Sequence, residues 1–271
     1  LTPRSTQSLL PETPLPRSAE RLTAGVYGAG GLRRSLLEDS RRVRLAGPSA
    51  TIISGQEATT RVTSDAGSLI GKSAASAGVT VQRRTPIVTD PRVRGSRVGQ
   101  LVASGSYWVP ARMDLDTMLS KIDSRLIADM LVVKGPYSSL YGPGWNFLDM
   151  ELLKSPRFSN GFESHGSSST DYQTNGEQFY GRQSLWGGDD RWGYRLGYGF
   201  RTGNDYETGS GAMLPASYKS GTLDATVGWD LSPDAHLDVS YLRLDQADVE
   251  FPGQIFDLNF LTTDAIEANL L

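Results

Sequence analysis

The side chains able to do chemistry are few, and their spacing argues against catalysis. Only two histidines, His165 and His236, occur in 271 residues, and there is no cysteine. A zinc site needs several converging ligands, and a nucleophilic triad needs a base within reach of its serine and acid. Two imidazoles in distant segments meet neither requirement. Gly67–Ser73 (GSLIGKS) has the look of a phosphate-binding loop, but three residues separate its glycines where four are needed. Gly28-Ala29-Gly30-Gly31 lacks the third glycine and the preceding strand of a dinucleotide site. Asp189-Asp190 pairs two carboxylates, and the preceding Trp186-Gly187-Gly188 marks that pair as a turn. The expectation is no enzyme, no metal site and no cofactor. One cluster suits binding instead. In SYWVPAR, Tyr107 and Trp108 supply aromatic faces and Arg112 a guanidinium. Such a set can stack on a ring and hold an anion bidentately. The plainer alternative is that the two rings only pack.

Composition bounds the rest. The net charge is −3 and the pI about 5.5, with no concentrated basic stripe. A nucleic-acid surface needs one, so none is expected. No run approaches the roughly 20 apolar residues of a spanning helix. Strands that cross a membrane alternate, so that search is blind to them.

Three zones follow along the chain. Residues 1–48 carry four prolines in their first 16 positions, then Arg33, Arg34, Arg41, Arg42 and Arg44. Too little apolar surface is available there to offset the entropy of ordering, and a flexible extension is expected. Residues 49–157 read as mixed α/β. Short strands are expected at Ala50–Ser54, Val79–Gln82, from Val93, at Leu101–Ala103, Leu131–Val133 and Phe147–Leu153. Asp65 is the N-cap expected for a helix over Ser68–Ala75, with Gly78 as its stop. Helical turns are expected at Met118–Ile122 and Arg125–Met130.

Residues 158–271 alternate. Trp192, Tyr194, Leu196, Tyr198 and Phe200 face one way, and Arg191, Gly193, Arg195, Gly197, Gly199 and Arg201 the other. Period two over such a length specifies a strand. Leu223, Ala225, Val227, Trp229 and Leu231 repeat the pattern against Asp224, Thr226, Gly228 and Asp230. Leu237, Val239 and Tyr241 continue it. The phase flips at Leu242, implying a bulge or a strand leaving the membrane zone. An apolar, aromatic face opposite one of Gly and Arg suits lipid outside and a wet or plugged lumen inside. On that reading the two histidines are lumen or rim residues, and arginine is tolerated at Gly197 but not at Tyr198. A soluble β-rich binding or adhesion module would also alternate.

Met130–Gly144 (MLVVKGPYSSLYGPG) resembles the signature of TonB-dependent outer-membrane receptors. Lys134, Gly135, Pro136, Ser138, Leu140, Tyr141 and Gly142 fill the signature places. Gly78–Val81, Arg94-Gly95 within Val93–Gly95, Leu101–Gly105 and Met150–Lys154 resemble further elements of the plug in the same order. Ser104 departs from the usual Asp before Gly105, and Pro143-Gly144-Trp145 from the usual small run.

The resemblance implies a mixed α/β plug domain over 49–157, preceded by a periplasmic extension over 1–48. It implies that 158–271 is the N-terminal part of an antiparallel transmembrane β-barrel. Plugged outer-membrane transporters close with about 22 strands, and about 110 residues after Arg157 suffice for five or six. An open, curved sheet is therefore expected. The implied function is uptake at the outer membrane of a Gram-negative-type cell, by default of an iron–siderophore complex. Ala111-Arg112-Met113-Asp114 faintly resembles outer-membrane copper receptors, which keeps copper as an alternative. The implied partners are the TonB energy-coupling protein, outer-membrane lipid and a small-molecule metal chelate. Ala50, Thr51, Ile52 and Ile53 form the β-prone run expected to couple to TonB; the alternative is that they are the plug's first strand. Lys134 and Arg94 are expected to face acids of the barrel wall.

Overall fold

The computed structural model describes residues 50–73, 78–98, 100–103, 106–107, 119–135, 146–232 and 235–270. The extension 1–48 lies outside them. The first half builds two small sheets around short helices. Strand β1 (Thr51–Ser54) leads into α1 (Glu57–Thr60) and α2 (Ala66–Lys72). β2 (Val79–Thr85), β3 (Val88–Val93) and β4 (Ser96–Arg97) form a three-stranded sheet. β5 (Gln100–Ala103), β6 (Ser106–Tyr107), β7 (Ile127–Lys134) and β8 (Asn146–Leu152) join β1 in a second sheet of order β1-β7-β8-β5-β6.

Asp65 caps α2 as expected: its side chain accepts from the Ser68 amide at 2.8 Å. The helix is shorter than expected and ends at Lys72. The expected helical turn at Arg125–Met130 is corrected. A 3-10 turn covers Ser124–Leu126, and β7 begins at Ile127. Pairing on both sides, with β1 and β8, overrides the helical propensity of Ala128 and Met130. Val93 ends β3 instead of opening a strand. The turn that follows places Arg94 at φ +50° and Gly95 at φ +84°.

The second half is one meander. β9 (Glu163–Gln173), β10 (Gln178–Gly188), β11 (Trp192–Gly203), β14 (Tyr218–Ser232), β15 (Ala235–Val249) and β16 (Leu258–Leu270) pair antiparallel in that order. β12 (Tyr206–Glu207) and β13 (Met213–Leu214) form a small hairpin inside the long connection between β11 and β14. The short turn at 189–191 is built by Asp189, whose carboxylate accepts from the amides of Arg191 (2.8 Å) and Trp192 (3.0 Å). Those donors hold its pKa below the usual carboxylate value. The sheet is open, with β9 and β16 as its outer strands among the described residues.

Its two faces match the alternation. Leu196, Tyr198, Trp229 and Val239 are exposed on the outer face, while Gly197, Arg201, Asp224 and Asp238 are buried on the inner one. No bulge occurs at Leu242, where register runs unbroken from Leu237 to Ala247. The outer face turns polar there, at Arg243, Asp245 and Asp264, as the strands pass beyond the apolar band. Leu242 and Leu244 turn inward and join the core of the first half, with Leu69, Ile122, Met130 and Leu148. The phase flip thus records where the large sheet packs on the core of the first half.

Candidate functional site

The inner face of the sheet is filled, and its chemistry is ionic. Two acids of the first half meet two arginines of the wall. Asp65, fully buried, takes Arg201 Nη1 at 2.8 Å while capping α2. Arg201 also donates to the Ser120 carbonyl and lies over the Tyr218 ring. Asp123, at the entry to the 3-10 turn, takes Arg182 Nη1 at 3.3 Å and the Tyr180 hydroxyl at 3.1 Å. Arg182 Nη2 holds a second acid, Asp224 of the wall itself, at 2.5 Å. Thr222 donates to the Lys121 carbonyl, and Arg125 to Ser169. Buried pairs of this kind contribute little net stability, but breaking one strands a charge. They specify how the first half sits on the sheet.

Glycine makes the approach possible. A Cβ at Gly199 would lie 2.5 Å from the Asp123 carboxylate, and one at Gly197 would overlap Arg182. An arginine at Gly197 stays off the apolar face, as expected, but it would crowd the Arg182–Asp224 pair of the neighbouring strands.

Other anticipated residues fall elsewhere. Lys134 is buried, and its ammonium donates to Thr51 Oγ1 at 2.6 Å across the five-stranded sheet. Burial, and after it the Arg94 charge, lowers its pKa. Arg94 is exposed in its turn. Two described ionic ties to the large sheet run through Asp65 and Asp123, with the arginines on the sheet; a third, Arg157 with Asp230, has the cation on the other side. Gly135 adopts φ +70°, a left-handed value that suits glycine. Pro136, Leu140, Tyr141 and Gly142 lie outside the described residues, as do Trp108 and Arg112. Tyr107 closes the short β5–β6 hairpin.

Ala50–Ile53 leads into and forms most of β1. Thr51, Ile52 and Ile53 register with Val132, Leu131 and Met130 of β7, and Ile53 is fully buried. It is an outer strand of the plug sheet. Of the histidines, His165 lies against the rings of Phe158 and Trp186. His236 bridges Asp230 and Asp238 at the foot of the β14–β15 hairpin. Among the described residues, no group of acids and histidines is arranged to hold a metal ion. Sequence reasoning missed Asp123, Arg182 and Asp224. The only trace of their roles was inward charge on strands with an apolar outer face.

Neither a protein-family model nor a curated protein matches the chain by sequence. Solved structures do match by fold. The copper transporter OprC aligns at 22 % identity over 82 % of this chain and 34 % of its own, with a TM-score of 0.71. FpvA of Pseudomonas aeruginosa, solved with heterologous pyoverdines, aligns at 14 % identity over 82 % of this chain and 31 % of its own, TM-score 0.60. The siderophore receptor PirA of Acinetobacter baumannii aligns at 14 % identity over 74 % and 32 %, TM-score 0.55. These are TonB-dependent receptors, and the chain shares their fold. It spans about a third of their length.

Proposed function

We propose that the chain is the plug and first barrel strands of a TonB-dependent outer-membrane receptor that imports a scarce metal-bearing cargo. The observation that carries this reading is the plug's acidic seat on an open sheet whose outer face is apolar. A domain held against a wall by polar ties can shift without unfolding that wall. Apolar side chains such as Tyr198 and Trp229 exposed on the outer face suit contact with lipid.

The cargo has two readings. An iron–siderophore complex fits the sequence resemblance and two of the three solved structures named above. Copper is supported by the higher identity and TM-score of the copper transporter and by the Ala111–Asp114 stretch. In either case Tyr107, Trp108 and Arg112 are the plug residues we assign to cargo contact. The signature residues Arg94, Gly95, Lys134, Gly135, Pro136, Leu140, Tyr141 and Gly142 belong to the plug frame. Ala50–Ile53 is the proposed coupling segment. As an outer strand it can add a partner strand along its second edge, where no described strand pairs. The extension 1–48 would then lie in the periplasm. Titrating the complete receptor in detergent with ferric siderophores, cobalamin and copper separates the cargoes. Saturable binding of one class is expected, and a protein that folds without detergent and binds none contradicts the reading.

A further inference from the structure

The segment joining the plug to the wall is Ser155-Pro156-Arg157, and it is built unlike a tether. All three residues are buried, Ser155 and Arg157 at 5 % exposure each. They lie in a notch formed by two glycines directly opposite each other on adjacent strands, Gly193 of β11 and Gly228 of β14. A Cβ at Gly193 would overlap the Pro156 carbonyl oxygen. One at Gly228 would overlap Ser155 Oγ and the Asp238 carboxylate, and would lie 2.9 Å from Arg157 Nη2.

Charge closes the notch. Arg157 meets Asp230 at 3.4 Å and lies 3.4 Å from His236 Nδ1. His236 Nε2 in turn holds Asp238 at 2.6 Å, and Asp238 accepts from Ser155 Oγ at 3.2 Å. The backbone is tied on both flanks. Leu153 N donates to Leu126 O at 2.8 Å, and Phe158 N to Asp189 O at 2.9 Å.

We infer that residues 155–157 are a fixed clamp, so that the plug moves about this point while the segment stays with the wall. When Asp123 leaves Arg182, the guanidinium keeps Asp224. Withdrawing residues 155–157 would instead empty the glycine notch and take Arg157 from Asp230 and Ser155 from Asp238 together. The occupant of the notch is this chain's own connecting segment, and its role in a transport cycle rests on the receptor reading above.

Because the chain has no cysteine, disulfides can test the clamp in the complete receptor. Ser155→Cys with Gly228→Cys locks the clamp, since Ser155 Oγ lies against the Gly228 Cβ position. Asp123→Cys with Gly199→Cys locks the plug body, with the Asp123 Cγ 3.6 Å from the Gly199 Cβ position. Each protein is assayed oxidised and reduced, so folding is controlled within one molecule. The probes are ferric enterobactin, ferric pyoverdine and copper(II). The clamp crosslink is expected to leave uptake within about twofold of the reduced form. The body crosslink is expected to block uptake at least about tenfold with binding retained. A clamp crosslink that blocks uptake, or a body crosslink that does not, overturns the inference. Hydrogen exchange decides it independently of transport. The amide of Phe158, which donates to the Asp189 carbonyl, is expected to exchange as slowly as those of β11, and exchange as fast as in loop 208–212 overturns the clamp. An unmodified receptor that takes up none of the probes counts against the receptor reading alone.

Discussion

Asp65 carries two structural duties through one carboxylate. It caps α2 and neutralises Arg201, itself buried on the inner wall. Asp65→Ala removes a cap, which costs about 0.5–2 kcal/mol, and strands a guanidinium, which costs about 3–5 kcal/mol. Asp65→Asn keeps an N-cap acceptor and loses only the charge. The amides of α2 are thus expected to lose more exchange protection in Asp65→Ala than in Asp65→Asn, with the barrel strands unchanged. Equal losses would show that the cap does not matter there. The cap was legible in sequence, because Asp before a short amphipathic run is a local signal. The ion pair was not, because Arg201 lies 136 positions away and only the fold brings them together. The cargo residues stand at this scale too. Trp108→Ala and Arg112→Ala in the complete receptor are each expected to weaken binding about tenfold, on the order of 1.4 kcal/mol. Unchanged titrations in both would reduce the loop to packing.

Among the elements, β11 was the most legible. Its alternation fixed both identity and orientation, since one face is wholly aromatic or aliphatic. What the inner face touches was not legible. Glycine there reads as lumen lining until Asp123 and Pro156 are seen against it. This separates two substitutions that sequence alone would rank simply. Tyr198→Arg puts a charge on the lipid face and is expected to cost about 2–4 kcal/mol near the midplane, lowering the yield of folded barrel in lipid vesicles. Gly197→Arg is expected to leave that yield unchanged and to loosen the plug, seen as faster exchange in α2. The same yield for both, with the plug unaffected in both, would contradict the assigned orientation. Leu244 makes the complementary case. It faces the plug core, so Leu244→Ala is expected to destabilise plug docking by about 2–5 kcal/mol, whereas Val239→Ala on the outer face has little effect on it. β7 shows the opposite failure of legibility. Local propensity favoured a helical turn at Arg125–Met130, and pairing with β1 and β8 decided otherwise.

At the scale of the molecule, a polar-seated plug beside an open, outwardly apolar sheet has a plain physical consequence. Six strands leave unpaired edges that a bilayer cannot solvate, and the chain spans about a third of the length of the solved structures that share its fold. The expectation of an open sheet was reached from strand arithmetic, and the sheet is open. The coupling reading is checked by deleting residues 1–40: energy-dependent uptake is expected to survive, and its loss with normal binding would move the coupling segment upstream of Ala50. The most direct test of the whole account is uptake by cells making the complete receptor, with and without the TonB protein. The account predicts that ferric siderophore or copper accumulates only when TonB is present, while binding at the cell surface is the same in both. Accumulation that does not depend on TonB, or surface binding that requires it, would contradict the account.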